Sequence, residues 1–264
     1  MNKGMKRIEK KNHRWTKRHG RNFTMIVPRW FCLATVLALL LMIPMSANAH
    51  KDDYLDETLV YLTLEKGEIE AEYWFDYGSQ SKSSIDFIRH NLAMEWGITD
   101  HWMVDGISSI KTITGNGTEF DSGRVESRYR FMDEGALPVD IAISVEVNLE
   151  RDEEEGSTNF GIEPRLILSK DFQEKLNFTL NLSEEIHFES RPSAFLANFG
   201  ARYNWTQLVR PGAEFQYNTH DHTVSLLPQL WFAFPGEVKI KTGYSVGLDH
   251  NDEDFGRIAV EVEF

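Results

Sequence analysis

Residues 257–264 read "RIAVEVEF". Ile258, Val260, Val262 and Phe264 share one parity, and Arg257, Ala259, Glu261 and Glu263 share the other. A period of two puts the two sets on opposite faces of a β-strand. At an open sheet edge such a strand would be a template for aggregation. An apolar outer face and a charged inner face suit a closed barrel in lipid, which has no edge. Whether the rest of the chain supplies that barrel decides how these residues are read.

The alternation recurs along the chain. In "PVDIAISVEVNLE" (138–150), Val139, Ile141, Ile143, Val145, Val147 and Leu149 oppose Asp140, Ser144, Glu146, Asn148 and Glu150, with Ala142. Leu176, Phe178, Leu180 and Leu182 oppose Asn177, Thr179, Asn181 and Ser183 in the same way. Twelve such segments are predicted, near 68–77, 86–97, 102–113, 124–132, 139–150, 159–169, 176–188, 194–204, 208–218, 223–234, 237–248 and 255–264. Each approaches the ~9–11 residues of a tilted membrane-crossing strand. Helical periodicity is not convincing anywhere after residue 50. Polar loops follow the odd segments ("TGNGTEFDSG", "RDEEEGST", "DHNDED") and mostly shorter turns follow the even ones ("TD", "TQ", "PG"). The expected fold is all-β: a transmembrane antiparallel up-and-down β-barrel of about twelve strands over 67–264, with both ends in the periplasm. Two aromatic groups fit interfacial girdles. Tyr73, Phe75, Tyr77, Phe160, Phe188, Phe195, Phe215 and Tyr217 lie toward one end, and Trp96, Trp102, Phe131, Tyr203, Trp205, Phe232, Phe234 and Phe264 toward the other.

The final "VEVEF" (260–264) resembles the C-terminal strand of bacterial outer-membrane β-barrels, and the resemblance implies a signal read by the barrel-assembly machinery. "LAMEWGITDHWMVDG" (92–106), "RYRFMDEGALPVDIAI" (128–143) and "LILSKDF" (166–172) are similar to a group of small exported barrels described as transporter-like or phenol-degradation-pathway-like. These stretches are strand-turn-strand architecture, so the resemblance implies a fold and no functional residue.

The N-terminal end agrees with export. Residues 1–29 hold ten Lys or Arg and one acid, Glu9, ahead of the 14 residues from Trp30 to Ile43 and of Ala47-Asn48-Ala49. A basic stretch, a short apolar core and an A-x-A site form a secretory signal (1–49), cleaved after Ala49. The apolar core is too short to span a bilayer as a helix. Met25 is an alternative start that keeps Arg29 as the basic charge. The one cysteine, Cys32, lies in that core, so disulfide and thiolate chemistry are excluded from a mature chain starting at His50. Residues 50–264 retain 18 of the 28 bases and 40 of the 41 acids, a net −22. That balance excludes nucleic acid as a partner and suits the outer membrane, with its lipid and lipopolysaccharide. Residues 50–66, "HKDDYLDETLVYLTLEK", are expected to form a periplasmic N-terminal lead or a short inserted segment.

Charged side chains on the inward phase must line a wet or internally paired lumen, since Lys or Arg facing lipid at mid-depth costs ~2–4 kcal/mol. Glu68, Glu70, Arg128, Arg130, Asp140, Arg202, Arg210, Lys239, Lys241, Glu261 and Glu263 all project from the periplasmic third. A mixed-charge constriction there would select among small-molecule solutes in a passive channel. The alternative is a non-conducting structural barrel, in which Arg128 and Arg130 pair with Asp140 and Glu126, and Lys239 and Lys241 with Glu261 and Glu263. Twelve strands lie between eight, which side chains fill, and sixteen, which leave a channel. A membrane lipid hydrolase is a remote third reading. None of the nine His is followed by Ser two residues on, and His90 and Ser108 lack an orienting third group. His220, Asp221 and His222, or Asp249, His250, Asp252, Glu253 and Asp254, offer metal-ligand types in loops, without a complete ligand spacing. No cofactor is implied. Deleting Phe264 is expected to lower the amount of assembled barrel in outer-membrane fractions; unchanged accumulation would make the terminal pattern incidental.

Overall fold

The β-branched and aromatic residues of the alternating segments form twelve antiparallel strands: β1 (Ile69–Ser79), β2 (Asp86–Thr99), β3 (Trp102–Ile113), β4 (Gly117–Arg130), β5 (Asp140–Arg151), β6 (Thr158–Phe172), β7 (Leu176–His187), β8 (Ala194–Tyr203), β9 (Val209–Asn218), β10 (Thr223–Phe234), β11 (Val238–Gly247) and β12 (Asp254–Glu263). The computed structural model describes residues 57–79, 86–115, 117–151, 157–173, 175–188, 193–219, 222–235, 237–248 and 253–264. The predicted signal 1–49, Cys32, Met25 and the loop residues His220, Asp221, Asp249, His250 and Asp252 lie outside them.

Each strand pairs with its sequence neighbours, and β1 pairs with β12 to close the barrel. Tyr73 stands opposite Val260 and Phe75 opposite Ile258 on the outer face. The Phe264 amide donates to the Ile69 carbonyl at 2.8 Å, so the last residue still takes part in closure. No edge remains at the seam, which accounts for the terminal alternation. Below, the inner end is the one carrying Ile69 and Phe264.

The inner face of the seam poses an electrostatic problem. Glu70 faces Glu263 and Glu72 faces Glu261 across β1 and β12, and Glu95 faces Glu70 from β2. Like charges directly opposite are destabilising. Two bases on β11 relieve the repulsion. Lys239 pairs with Glu261 and lies 3.6 Å from Glu70. Lys241 lies 2.9 Å from Glu72 and 2.8 Å from Glu261. One step further out, Arg257 faces Asp76 in register and binds it at 2.7 and 2.9 Å.

The outer face is a continuous apolar surface. Leu92, Met94, Val125, Ile143 and Ile258 are exposed along it. Trp96, Trp102, Phe131, Tyr203, Trp205, Phe234 and Phe264 are exposed toward the inner end. An exposed apolar area of this kind requires lipid rather than water.

Eleven strands lie within about three residues of their predicted bounds, inside the ordinary error. β4 is the exception. It begins at Gly117, not near 124. A β-bulge pairs Ser109 with Ser122 but Ile110 with Phe120, leaving Asp121 without a partner on β3. An extra residue shifts the inward–outward phase, which hides the strand from a period-two reading. The bulge also brings Asp121 to Arg89, at 2.7 Å.

Replacing Lys239 and Lys241 together with Met strands buried acids at the seam, at a cost of about 3–5 kcal/mol for a broken buried pair. The expected outcome is a lower temperature for conversion from the fast-migrating folded band to the slow one on gels. Adding Glu72→Gln and Glu261→Gln should recover most of the loss. An unchanged conversion temperature in the double Met variant would contradict the assigned role.

Candidate functional site in the barrel lumen

Residues 57–64 run inside the barrel. Val60, Tyr61, Leu62, Thr63 and Leu64 are all buried, with Val60 and Tyr61 only 1% exposed. Consecutive residues can all be buried only if the chain is enclosed on every side. The wall supplies apolar surface for them: Ala142 on β5, Ile167 on β6 and Trp231 on β10 project inward and pack with Leu59, Val60, Tyr61 and Leu62. These three, with Leu227 on β10, interrupt the polar inward phase that includes Asp140, Ser144, Glu163, Arg165, Ser169 and Gln229. Burying each large apolar side chain of the segment contributes about 1.5–3 kcal/mol.

The backbone of the segment is held by side chains of the wall. Glu214 on β9 accepts the Thr58 amide at 2.6 Å and the Glu57 amide at 3.0 Å. Asn181 on β7 accepts the Leu59 amide and donates to the Leu59 carbonyl, both at 2.8 Å. Arg128 on β4 donates to the Val60 and Leu62 carbonyls, each at 3.3 Å. The Glu57 side chain pairs with Arg257 on β12. Burial raises the Glu57 pKa, but Arg257, Arg124 and Arg89 together outweigh it and hold the group below the usual carboxylate range. Burial also raises the Tyr61 phenol, helped by Glu134, Asp140 and Asp171.

Toward the inner end the chain leaves the lumen along the β2–β3 turn. Thr63 donates to the Asp100 carbonyl at 3.0 Å, and the Lys66 amide donates to the Asp100 carboxylate at 3.0 Å. Gly67 turns the chain into β1 with φ of +90°. Gly97 leaves room for the passing strand: a Cβ there would lie 2.9 Å from the Leu64 carbonyl oxygen and overlap the Glu65 backbone. Of the two expectations for 50–66, a periplasmic lead or a short inserted segment, residues 57–64 follow the second: they lie in the lumen, where Val60 and Leu62 pack on an apolar lining. Residues 50–56 lie outside the described structure.

The expected constriction residues divide into separate groups. Glu70, Lys239, Lys241, Glu261 and Glu263 are buried together at the seam. Arg128 belongs to a second cluster, with Glu126 at 3.2 Å, which in turn binds Arg165 at 2.9 Å; Arg128 and Glu126 line the same small cavity as Glu70 and Lys241. Arg165 also binds Glu163 at 2.7 Å. Arg202 lies over the Trp231 ring at 5.9 Å, and Arg210 faces Trp231 in register. Glu68, Arg130 and Asp140 serve turns at the inner end. Glu68 accepts the Glu65 amide, Arg130 binds Thr63 and the Asp100 carbonyl, and Asp140 accepts the Gly135 amide. The pairing of Arg128 with Glu126 and of Lys239 with Glu261 follows the expected network. Arg130 lies 3.4 Å from Asp133, an acid outside the expected network. Glu214, Asn181 and Trp231 are not among the residues that the sequence singles out as a site, whereas the segment is one of the two readings it offers for 50–66. The signal was the run of inward apolar residues.

A small cavity of about 30 Å³ lies beside the segment, lined by Leu59, Glu72, Trp74, Asp105, Arg124 and Arg128 among others. That is room for roughly one or two waters. The residues considered for other chemistry have different roles. His90 is hydrogen-bonded to the Tyr73 hydroxyl at 2.6 Å and faces Ile110 across β3, while Ser108 faces Leu92. Glu253 binds Arg89 at 3.0 Å and Lys111 at 2.9 Å, and Asp254 accepts the Gly247 amide. No group of three His, Cys, Asp or Glu among the described residues is placed to hold a metal ion.

No protein-family model matches the chain, and no curated protein matches its sequence. Solved structures do match its fold. An outer membrane channel (COG4313) from Pseudomonas putida F1 superposes with a TM-score of 0.59 at 11% identity, covering 82% of this chain and 100% of the other. The KdgM porin gives 0.56 at 10% identity, covering 74% of this chain and 99% of its own. The NanC porin gives 0.52 at 13% identity over 74% and 98% of the two chains. The architecture is thus that of outer-membrane β-barrels.

Glu214→Ala combined with Asn181→Ala should loosen the segment. With Tyr61→Cys as a probe, labelling by a water-soluble maleimide is expected to rise about tenfold or more, given ~1.5–3 kcal/mol for hydrogen bonds to a charged group. Equal labelling rates with and without the two substitutions would show that these side chains do not hold it.

Proposed function

We propose that the protein is a bacterial outer-membrane channel for small hydrophilic solutes, closed in this state by its own residues 57–64. Export follows the signal cleaved after Ala49, and the barrel-assembly machinery acts on the strand ending at Phe264. The observation that carries this reading is the width of the bore: the wall encloses a separate stretch of polypeptide, residues 57–64. In a narrow barrel the wall's own side chains fill the interior; here a separate segment fills it, and its departure would open a passage.

The wall is lined mainly by charged and amide groups, which suits hydrophilic solutes selected by charge. Such charges act strongly in a narrow, low-dielectric-walled lumen. The seam acids with Lys239 and Lys241, together with the Arg128–Glu126–Arg165 cluster, form the proposed filter. No catalytic role is assigned. A second reading, a permanently closed structural barrel, is favoured by the apolar contacts of Val60, Tyr61 and Leu62 with Ala142, Ile167 and Trp231.

Planar-bilayer recordings separate the two readings. Wild-type protein is expected to open rarely. Arg128→Ala with Arg130→Ala removes two bases and the donor to the Val60 and Leu62 carbonyls, so it should conduct more and prefer cations more strongly. Silence of that variant, with folding checked by heat-modifiable migration, would favour the closed structural barrel.

A further inference from the structure

The contacts that hold residues 57–62 are directed largely at backbone atoms. Glu214 takes the amides of residues 57 and 58, Asn181 takes both the amide and the carbonyl of residue 59, and Arg128 takes the carbonyls of residues 60 and 62. We propose that this part of the lumen is a site for peptide backbones in general, and that short peptides are the solutes the opened barrel takes. The proposal rests on the channel reading above and names its substrate class.

Three features support it. First, backbone amides and carbonyls are common to all peptides, so acceptors and donors aimed at them bind with little regard to side chains. The Asn181 side-chain amide makes the two-bond pair that one strand residue makes with another. Second, acceptors and donors are ordered along the path: the Glu214 carboxylate meets amides, Asn181 meets one of each, and the Arg128 guanidinium meets carbonyls. A hydroxylated sugar chain carries no such alternation of N–H and C=O groups. Third, the side chains of the bound segment meet Ala142, Ile167 and Trp231, an apolar lining that accepts many residue types of suitable size.

The test uses the full chain with its own segment expelled. Val60→Asp with Leu62→Asp makes burial of the segment unfavourable; Val60→Ala with Leu62→Ala loosens it more gently should the acids impair assembly. Release is verified by maleimide labelling of Tyr61→Cys. The probe is the synthetic peptide Glu-Thr-Leu-Val-Tyr-Leu-Thr-Leu, applied to single channels and, separately, titrated against folded protein in detergent by calorimetry. The expected result is saturable binding with block of the open channel. N-methylation of the peptide at the second and third residues should weaken both about tenfold or more, because it removes the amides taken by Glu214 and Asn181. A side-chain-shuffled peptide should bind within a few-fold of the original. Equal binding of the N-methylated peptide, or no binding at all, overturns the peptide site. Block by a neutral oligosaccharide without peptide binding would assign the lumen to sugars instead. Peptide binding to a barrel that stays silent after release would uphold the site and overturn the channel reading.

Discussion

Closure of the barrel depends on how the seam accommodates its acids. Glu261 has no solvent exposure and lies between Lys239 and Lys241. The period of two that sends Val260 and Val262 to the lipid face sends Glu261 and Glu263 inward. There they meet Glu72 and Glu70 across the seam. Burying such charges is costly unless each is paired. The bases come from β11, the neighbour of β12, so the seam's inner face is completed by a third strand. Closure is therefore an electrostatic arrangement as much as a hydrogen-bonded one.

The lumen is divided in character. From β11 through β6 the inner wall is dense in ion pairs: the seam cluster, Asp76 with Arg257, and Glu126 with Arg165. On β7 the inward residues Asn177, Thr179, Asn181 and Ser183 are neutral, as are Ser225, Leu227, Gln229 and Trp231 on β10, with the charged Arg202 and Glu214 on β8 and β9 between them. Residues 57–64 bridge these two halves. Their apolar side chains reach Trp231 and Ile167, while their backbone reaches Asn181 on one side and Arg128 on the other. A wholly charged wall would offer no apolar surface to bury Val60 and Leu62.

Most of the fold was legible because lipid enforces a strict rule on every outward position. Val139 to Leu149 kept phase without an error, and the corresponding strand lies one residue from its expected bounds. β4 was less legible because Asp121 is an extra residue, and one insertion inverts the pattern. The site was less legible still. Inward residues obey a weaker rule: any polar group satisfies it, so Glu70 and Glu214 look alike in sequence, although one faces an acid and the other holds two amides. Residues 57–64 carry no period that separates a lead from a lumen segment. Their burial depends on Ala142, Ile167 and Trp231, which lie far along the chain.

The partners of the gripping groups bear on whether the segment can leave. Breaking a buried charged pair is expensive because one charge is left without compensation. Arg128, Glu214 and Arg257 each have a second partner that belongs to the wall. Arg128 keeps Glu126 at 3.2 Å, Glu214 keeps the Gln229 amide at 2.7 Å, and Arg257 keeps Asp76 at 2.7 and 2.9 Å. Withdrawal of residues 57–64 would therefore expose these groups to water without stripping them of every wall contact. What withdrawal costs is the backbone hydrogen bonding of residues 57–62 and the apolar contact of Val60, Tyr61 and Leu62, both of which another bound chain could replace. The contacts of Arg128 with Glu126, Glu214 with Gln229 and Arg257 with Asp76 lie wholly within the wall, as the proposed channel requires if it is to open without refolding.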